Sequence, residues 1–336
     1  MTITYRALTL DSVGSSLRSI ATALPVLKAG EAAVRIRAAS LNHRDLWIQK
    51  GQYAGLKFPL VPGSDGAGVV EKIGPGVDTA WVGRKVVINP SLDWGPSPDT
   101  QGKAFRILGL PDAGTFAEYV VVPSANLAQM PAHLSYAEAA CLPLGGTTAY
   151  RALVTRGRIA AGEKLLLTGI GGGVALLLLR LGLASGARVF VTSGSDEKLA
   201  KAKALGAEGG VNYKDPAWAE TLLEQAGHFD CIVDSAGGPG FPKLCDLAQS
   251  GGRLVFFGAT AGNPQELPLR KIFWRQLSLL GSTMGSPQDF AGMLKLVEEK
   301  GIRPVIDGVY PFDRADEALR RMDAGGQFGK LVIDIP

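Results

Sequence analysis

From about residue 130 onward, apolar runs alternate with helix-like segments, whereas the first 125 residues carry short apolar runs broken by glycine and proline. One run stands out: residues 165–179 read LLLTGIGGGVALLLL, without a charge and with nine Leu, Ile or Val in fifteen positions. It is shorter than the roughly 18 apolar residues that a membrane-spanning helix needs. Its four glycines, at 169 and 171–173, would each cost a regular helix about 1 kcal/mol. The pattern therefore predicts a strand at 165–168, a glycine turn, and a helix from about 173 to 185. Ser185-Gly186 ends that helix, and ARVFVTS at 187–193 makes a second strand. Strand, turn, helix and strand within about 30 residues form a βαβ unit, with strands apolar throughout because both sheet faces are covered.

The alternation continues. Helices are predicted at 195–207, 216–227 and near 240–249, and strands at 208–213, 229–238, 252–260 and 277–285. Six strands with helical connections predict a doubly wound, mostly parallel sheet. Before residue 125 the short strands at 34–40, 66–74, 84–88 and 117–123, separated by glycine and proline turns, predict a compact all-β unit. Residues 89–114, rich in proline and glycine, should form a long surface lobe. The tail beyond 301, ending FGKLVIDIP, reads as short strands that return to the first unit.

Composition narrows the class. With 336 residues, 46% hydrophobic and 20% charged, the chain resembles ordinary globular proteins and is long enough for two domains. A net charge of +4 from scattered Lys and Arg lacks the basic stripe of a nucleic-acid binder. Cys141, Cys231 and Cys245 form no C-x-x-C pair, and the start of the chain shows no signal-peptide pattern, so a cytoplasmic location is expected. The expected partners are a small-molecule substrate and a second copy of the chain, with no nucleic acid and no membrane. The free edge of the 277–285 strand motivates the homodimer.

The glycine turn opens a helix, whose unpaired N–H groups and dipole attract phosphate. The match to G-x-G-x-x-G stays open between Gly169, Gly171, Val174 and Ile170, Gly172, Ala175. On either alignment, Gly171, Gly172, Gly173 and Val174 are candidates to hold a dinucleotide pyrophosphate. NAD-binding strands usually end in Asp or Glu about 20 residues later. Here that place reads Thr192-Ser193-Gly194-Ser195, followed by Lys198 on the next helix and Tyr213 at the end of the next strand. Without a carboxylate to repel a 2′-phosphate, Ser193, Lys198 and Tyr213 favour NADPH (NADP+). The alternative for Lys198 is a solvated helix lysine.

Four segments together resemble the medium-chain dehydrogenase/reductase superfamily: Val61 to Gly68 (VPGSDGAG), Leu144 to Tyr150 (LGGTTAY), the glycine turn, and Gly329-Lys330-Leu331-Val332. The resemblance covers essentially the whole chain. It implies an α/β fold with a GroES-like β-rich catalytic domain plus a doubly wound parallel Rossmann sheet. The catalytic domain is expected at 1–125, with 287–336 returning to it, and the dinucleotide domain at 126–286. Zinc-dependent relatives hold their catalytic metal at positions that read Asn42, Ser64 and about Leu144 here, and the lobe has none of their structural cysteines. With only three histidines, none at ligand spacing, no metal is expected. The chain is similar to the zinc-free branch of quinone oxidoreductases and enoyl reductases. Those relatives carry Asn and Tyr at the positions of Asn42 and Tyr53, and contact the 2′-phosphate at those of Lys198 and Tyr213.

The reading that follows is a zinc-independent, NADPH-dependent transfer of hydride to a quinone or α,β-unsaturated carbonyl. Asn42 would donate to the substrate carbonyl or else fix its loop; Tyr53 would protonate the product or wall the pocket. His43 occupies a pyrophosphate-contacting position of the zinc relatives or else is exposed without a role, Thr148 should pack beside the nicotinamide, and Asp65 should hold loops together rather than transfer protons. Trp47 and Trp94 are expected as apolar lining, with core packing the alternative for Trp47. The alternatives are a zinc-free alcohol dehydrogenase acting on a small alcohol or aldehyde, and a non-catalytic dinucleotide-binding protein.

Overall fold

Leu165, Leu166 and Leu167 are wholly buried, as are Cys231, Ile232 and Val233 on the neighbouring strand. Such strands need a sheet covered on both faces, and a computed structural model describing residues 3–336 shows one. Six parallel strands lie in the order Gly209–Asn212, Arg188–Ser193, Lys164–Leu167, Phe229–Asp234, Ala248–Phe256 and Ser278–Gly281. This is the 3-2-1-4-5-6 order of a Rossmann sheet, which binds its ligand at the carboxyl ends of the strands. Helix Gly173–Ala184 starts at the expected residue and buries Ala175, Leu176 to Leu179 and Leu181. Ser278–Gly281 occupies one edge of the sheet.

The chain divides into two compact units, one reaching Gly145 and including Ser286–Pro336, the other Gly146–Gly285. The expected boundary at 125 is therefore corrected. Strand Leu127–Gln129 pairs with Lys85–Ile88, and helix Tyr136–Ala139 packs on strands Glu31–Ser40 and Asp65–Ile73, so 126–145 belong to the β-rich unit. The tail does return to that unit. Lys330–Asp334 runs antiparallel to Glu31–Ser40 and parallel to Ile306–Pro311. The tail is not all strand, however. Helix Ala315–Asp323 buries Ala315, Ala318, Leu319 and Met322, the i, i+3, i+4, i+7 stripe of an amphipathic helix. A further helix, Pro287–Glu299, opens this return segment.

The 89–114 lobe is held by its own contacts. Ser91–Leu92 pairs with Arg106–Ile107, Trp94 stacks edge-on to Phe105 at 5.2 Å, and Arg106 bridges Asp93 and Asp112. Trp94 is thus 2% exposed and packs inside the lobe rather than lining an open pocket. Among the described residues, no helix is long and apolar enough to cross a membrane.

Candidate functional site

Lys330 is an ammonium buried in a strand of apolar neighbours, and it gathers the polar residues of the β-rich unit around it. Its three N–H donors meet three acceptors: the Leu41 carbonyl and Asn42 Oδ1 at 2.8 Å, and Asp65 Oδ2 at 2.9 Å. Asp65 Oδ2 also accepts from Asn42 Nδ2 at 2.9 Å, while Oδ1 accepts from the Leu144 N–H at 2.6 Å. Ser40 Oγ lies 2.9 Å from both Asp65 Oδ2 and the Ala140 carbonyl, and its single proton serves one of them at a time. Lys330 is 4% exposed and Asp65 not at all, so the pair survives burial only because these extra hydrogen bonds saturate it. Strand register builds the cluster: Ser40 faces Asp65 on one side and Val332 on the other. Asp65 thereby ties four chain segments together, as expected of it.

Asn42 precedes helix His43–Gln49 and is buried. Its side chain turns to Asp65 and Lys330 instead of capping the helix. Asp45 caps in its place, with Oδ2 accepting from the Asn42 N–H at 2.8 Å and Oδ1 from the Gly63 N–H at 3.2 Å. Arg44 is also buried, and all five of its N–H groups have neutral acceptors. They reach the Tyr53 hydroxyl (3.3 Å), Ser64 Oγ, and the carbonyls of Ile107, Leu108 and Leu110. The guanidinium also stacks 5.0 Å from the Tyr53 ring. Arg44 therefore pins the lobe to the helix and holds Tyr53 at the same time. His43 is exposed at the first turn, its ring 6.0 Å from Trp47. Desolvation, and then the Lys330 charge, still push its imidazole below the usual value, towards the neutral form.

Burial pushes the Asp45 carboxyl up from 3.8 to about 6, against opposition from Arg44, the Asn42 N–H and Lys330 and with support from Asp65. The folded state therefore binds this proton more tightly than the unfolded chain. Its contribution to stability is complete below about pH 4 and is lost as pH rises through 6. A shift of about two units corresponds to about 3 kcal/mol. Urea unfolding of wild type and Asp45→Asn should thus show a stability difference that moves in the variant's favour between pH 4 and 7. A difference independent of pH would remove Asp45 as the titrating group.

In the Rossmann unit Lys198 lies against the glycine turn, and Tyr213 lies against Gly194. Gly171 adopts φ +124°, and a Cβ there would lie 2.7 Å from Lys198 Cδ and 3.4 Å from its Nζ. The lysine side chain thus folds back over the glycine turn. A Cβ on Gly194 would meet the Tyr213 hydroxyl at 2.8 Å and Lys214 Cε at 3.1 Å, so a phenol and a lysine lie just past the end of strand Arg188–Ser193. Lys214 was not foreseen; it follows Tyr213 directly in sequence. Ser193 is buried and accepts from the Ser195 N–H. The nearest carboxylate along the chain, Asp196, receives the Asn212 amide at 3.0 Å. Gly172 precedes the helix, Gly173 and Val174 open it, and Thr148 is buried on helix Pro143–Tyr150.

Residues 28–132 match the alcohol dehydrogenase GroES-like domain, and residues 173–299 the zinc-binding dehydrogenase domain. A relative from Leptosphaeria maculans, named zinc-type alcohol dehydrogenase-like protein YogA, is 37% identical across 91% of this chain and 90% of its own. The chain belongs to the medium-chain dehydrogenase/reductase superfamily. A solved NAD-dependent alcohol dehydrogenase superposes with a TM-score of 0.93 at 38% identity, covering 98% of this chain and all of the other. A quinone oxidoreductase of Rattus norvegicus is more distant, at 27% identity over 92% of this chain and 91% of its own. As a superfamily member the chain is an oxidoreductase with a nicotinamide dinucleotide cofactor.

The zinc named in two of these descriptions needs thiolate, imidazole or carboxylate donors. The positions that the resemblance matches to the metal ligands hold Asn42, Ser64 and, for the third, a residue near Leu144. Ser64 donates to the Leu108 carbonyl at 2.7 Å and accepts from Arg44, while the nearby Cys141 is pushed by burial to about 12 and stays a thiol. This donor set does not fit zinc. Among the described residues, no three His, Cys, Asp or Glu side chains are grouped to hold a metal ion.

Proposed function

We propose that the protein is a zinc-independent, NADPH-dependent oxidoreductase that delivers hydride to a quinone or an α,β-unsaturated carbonyl. One observation carries the reading: the Asn42 amide is held between Asp65 and Lys330, at the position that the resemblance matches to a metal ligand of the zinc enzymes. Reducing a simple ketone makes an alkoxide, whose conjugate acid has a pKa of about 16 if water is the guide. Reducing a quinone makes a phenolate-like oxygen, nearer ~10 by analogy with tyrosine. The gap of about 6 units corresponds to roughly 8 kcal/mol of charge stabilisation that no longer has to come from a Lewis acid. An enolate gains similarly by delocalisation, and hydrogen-bond donors can supply the remainder.

The glycine turn with Ser193, Lys198 and Tyr213 would hold NADPH, whose nicotinamide would supply the hydride. The second amide N–H of Asn42, the one not given to Asp65, donates to the substrate oxygen as it gains negative charge. Tyr53 offers the proton that completes the product. Its oxygen already accepts from Arg44 Nε, which leaves its own O–H directed elsewhere.

The other reading, an alcohol dehydrogenase using NADH and a small alcohol or aldehyde, draws on the names of the 37% and 38% identical relatives. Cofactor oxidation measured with a quinone, an enone and an aldehyde, with NADPH and NADH and with and without chelator, separates the two. Chelator-resistant turnover of quinone or enone is expected. Chelator-sensitive aldehyde reduction, with no turnover of the conjugated acceptors, would replace this reading with the second.

A further inference from the structure

We propose that Lys330 is a positioning residue that fixes which way round the Asn42 amide sits. An ammonium can only donate hydrogen bonds, and an ionised carboxylate can only accept them. Asn42 lies between one of each, with Oδ1 2.8 Å from Lys330 Nζ and Nδ2 2.9 Å from Asp65 Oδ2. Flipping the amide would set NH₂ against NH₃⁺ and C=O against carboxylate, losing both hydrogen bonds and adding two repulsions. The sense of the amide is therefore enforced by charge. The cluster cannot rotate to accommodate a flip, because the other two Lys330 donors are held by the Leu41 carbonyl and Asp65, and Asp65 Oδ1 is held by the Leu144 N–H.

The consequence concerns the half of the amide left for the substrate. With Oδ1 consumed by Lys330, Asn42 has a single unspent N–H and presents a donor to an incoming carbonyl. Without Lys330 the amide could turn, and an outward carbonyl oxygen would repel the same substrate. Lys330 gives all three of its protons to protein acceptors, so it acts through Asn42 and touches no substrate. It also accounts for the lysine in the Gly329-Lys330-Leu331-Val332 segment, where burial in a strand is otherwise costly for an ammonium.

This inference rests on Asn42 being the substrate donor, and the test separates the two claims. Removing Lys330 alone strands the buried Asp65 carboxylate, so the informative variant is the charge-neutral pair Lys330→Met/Asp65→Asn. Lys330→Gln is the second variant should the pair not fold, and Lys330→Arg the conservative one. Single-turnover oxidation of bound NADPH by a quinone or enone is followed in each, with NADPH affinity titrated separately by fluorescence. The neutral pair should lose about 10- to 100-fold in hydride transfer, within the range of a misdirected oxyanion donor, with NADPH affinity unchanged. Lys330→Arg should recover most of the rate. Added to Asn42→Ala, the pair should cost nothing more, since residues acting through one another are not additive. A wild-type rate in the folded pair, or in Lys330→Gln where that is used, overturns the role of Lys330, as does a full additional loss on top of Asn42→Ala. A wild-type rate in Asn42→Ala overturns instead the donor reading on which the inference stands.

Discussion

Asn42→Ala should slow hydride transfer about 100-fold while leaving NADPH affinity within about twofold of wild type, because a lost transition-state donor acts on the chemical step. A smaller loss, about 10-fold, is expected with an acceptor whose charge spreads over a large conjugated system. The substitution also takes one acceptor from Lys330 and one donor from Asp65. A stability loss of about 1–3 kcal/mol should accompany it, so single-turnover rates belong well below the unfolding transition. Asn42→Asp should be worse than alanine. It places a second carboxylate beside Asp65 and turns a donor into a repelling charge. Should hydride transfer in folded Asn42→Ala match wild type, Asn42 is a loop residue and Tyr53 becomes the group to examine.

Lys198→Ala should weaken NADPH binding by about 10- to 150-fold, the equivalent of about 1.5–3 kcal/mol for one charge-assisted contact to phosphate. NADH binding should change little, since it lacks the 2′-phosphate that the ammonium would meet. The geometry behind this expectation is the lysine side chain folded over Gly171. Titrating both cofactors against wild type and variant gives the answer directly. Equal losses for the two would take Lys198 out of the phosphate contact and turn attention to Asp196 as a ribose-binding carboxylate.

The Rossmann unit was legible in the sequence because its signals are local. Continuous apolar strands, a glycine turn and helices ending in Gly each announce themselves within a dozen residues, and helix Gly173–Ala184 begins where the glycines place it. The same locality misled at the domain boundary. Leu127–Gln129 is a short strand whose membership is decided by pairing with Lys85–Ile88, some forty residues earlier. The amphipathic stripe of Ala315–Asp323 was there to be read, but its small apolar face of two alanines, a leucine and a methionine is easily lost among charges.

Asn42, Tyr53, Lys198 and Tyr213 could be singled out from residue type and position along the chain. What each side chain faces could not. Lys330 lies 288 residues from Asn42, and they meet because the last strand adds antiparallel to Glu31–Ser40, which puts both beside Asp65. A lysine leading into the apolar run Leu331 to Ile333 was the available signal, and its partners were not in it. Likewise Arg44 reads as a surface residue of a short helix until its five donors are found on the lobe, Ser64 and Tyr53. Local patterning determined the fold class and the glycine turn, because backbone propensity and hydrophobic period act over short distances. Tertiary structure alone decided the charge network around Asn42, because a buried ammonium takes its acceptors from wherever strand register brings them.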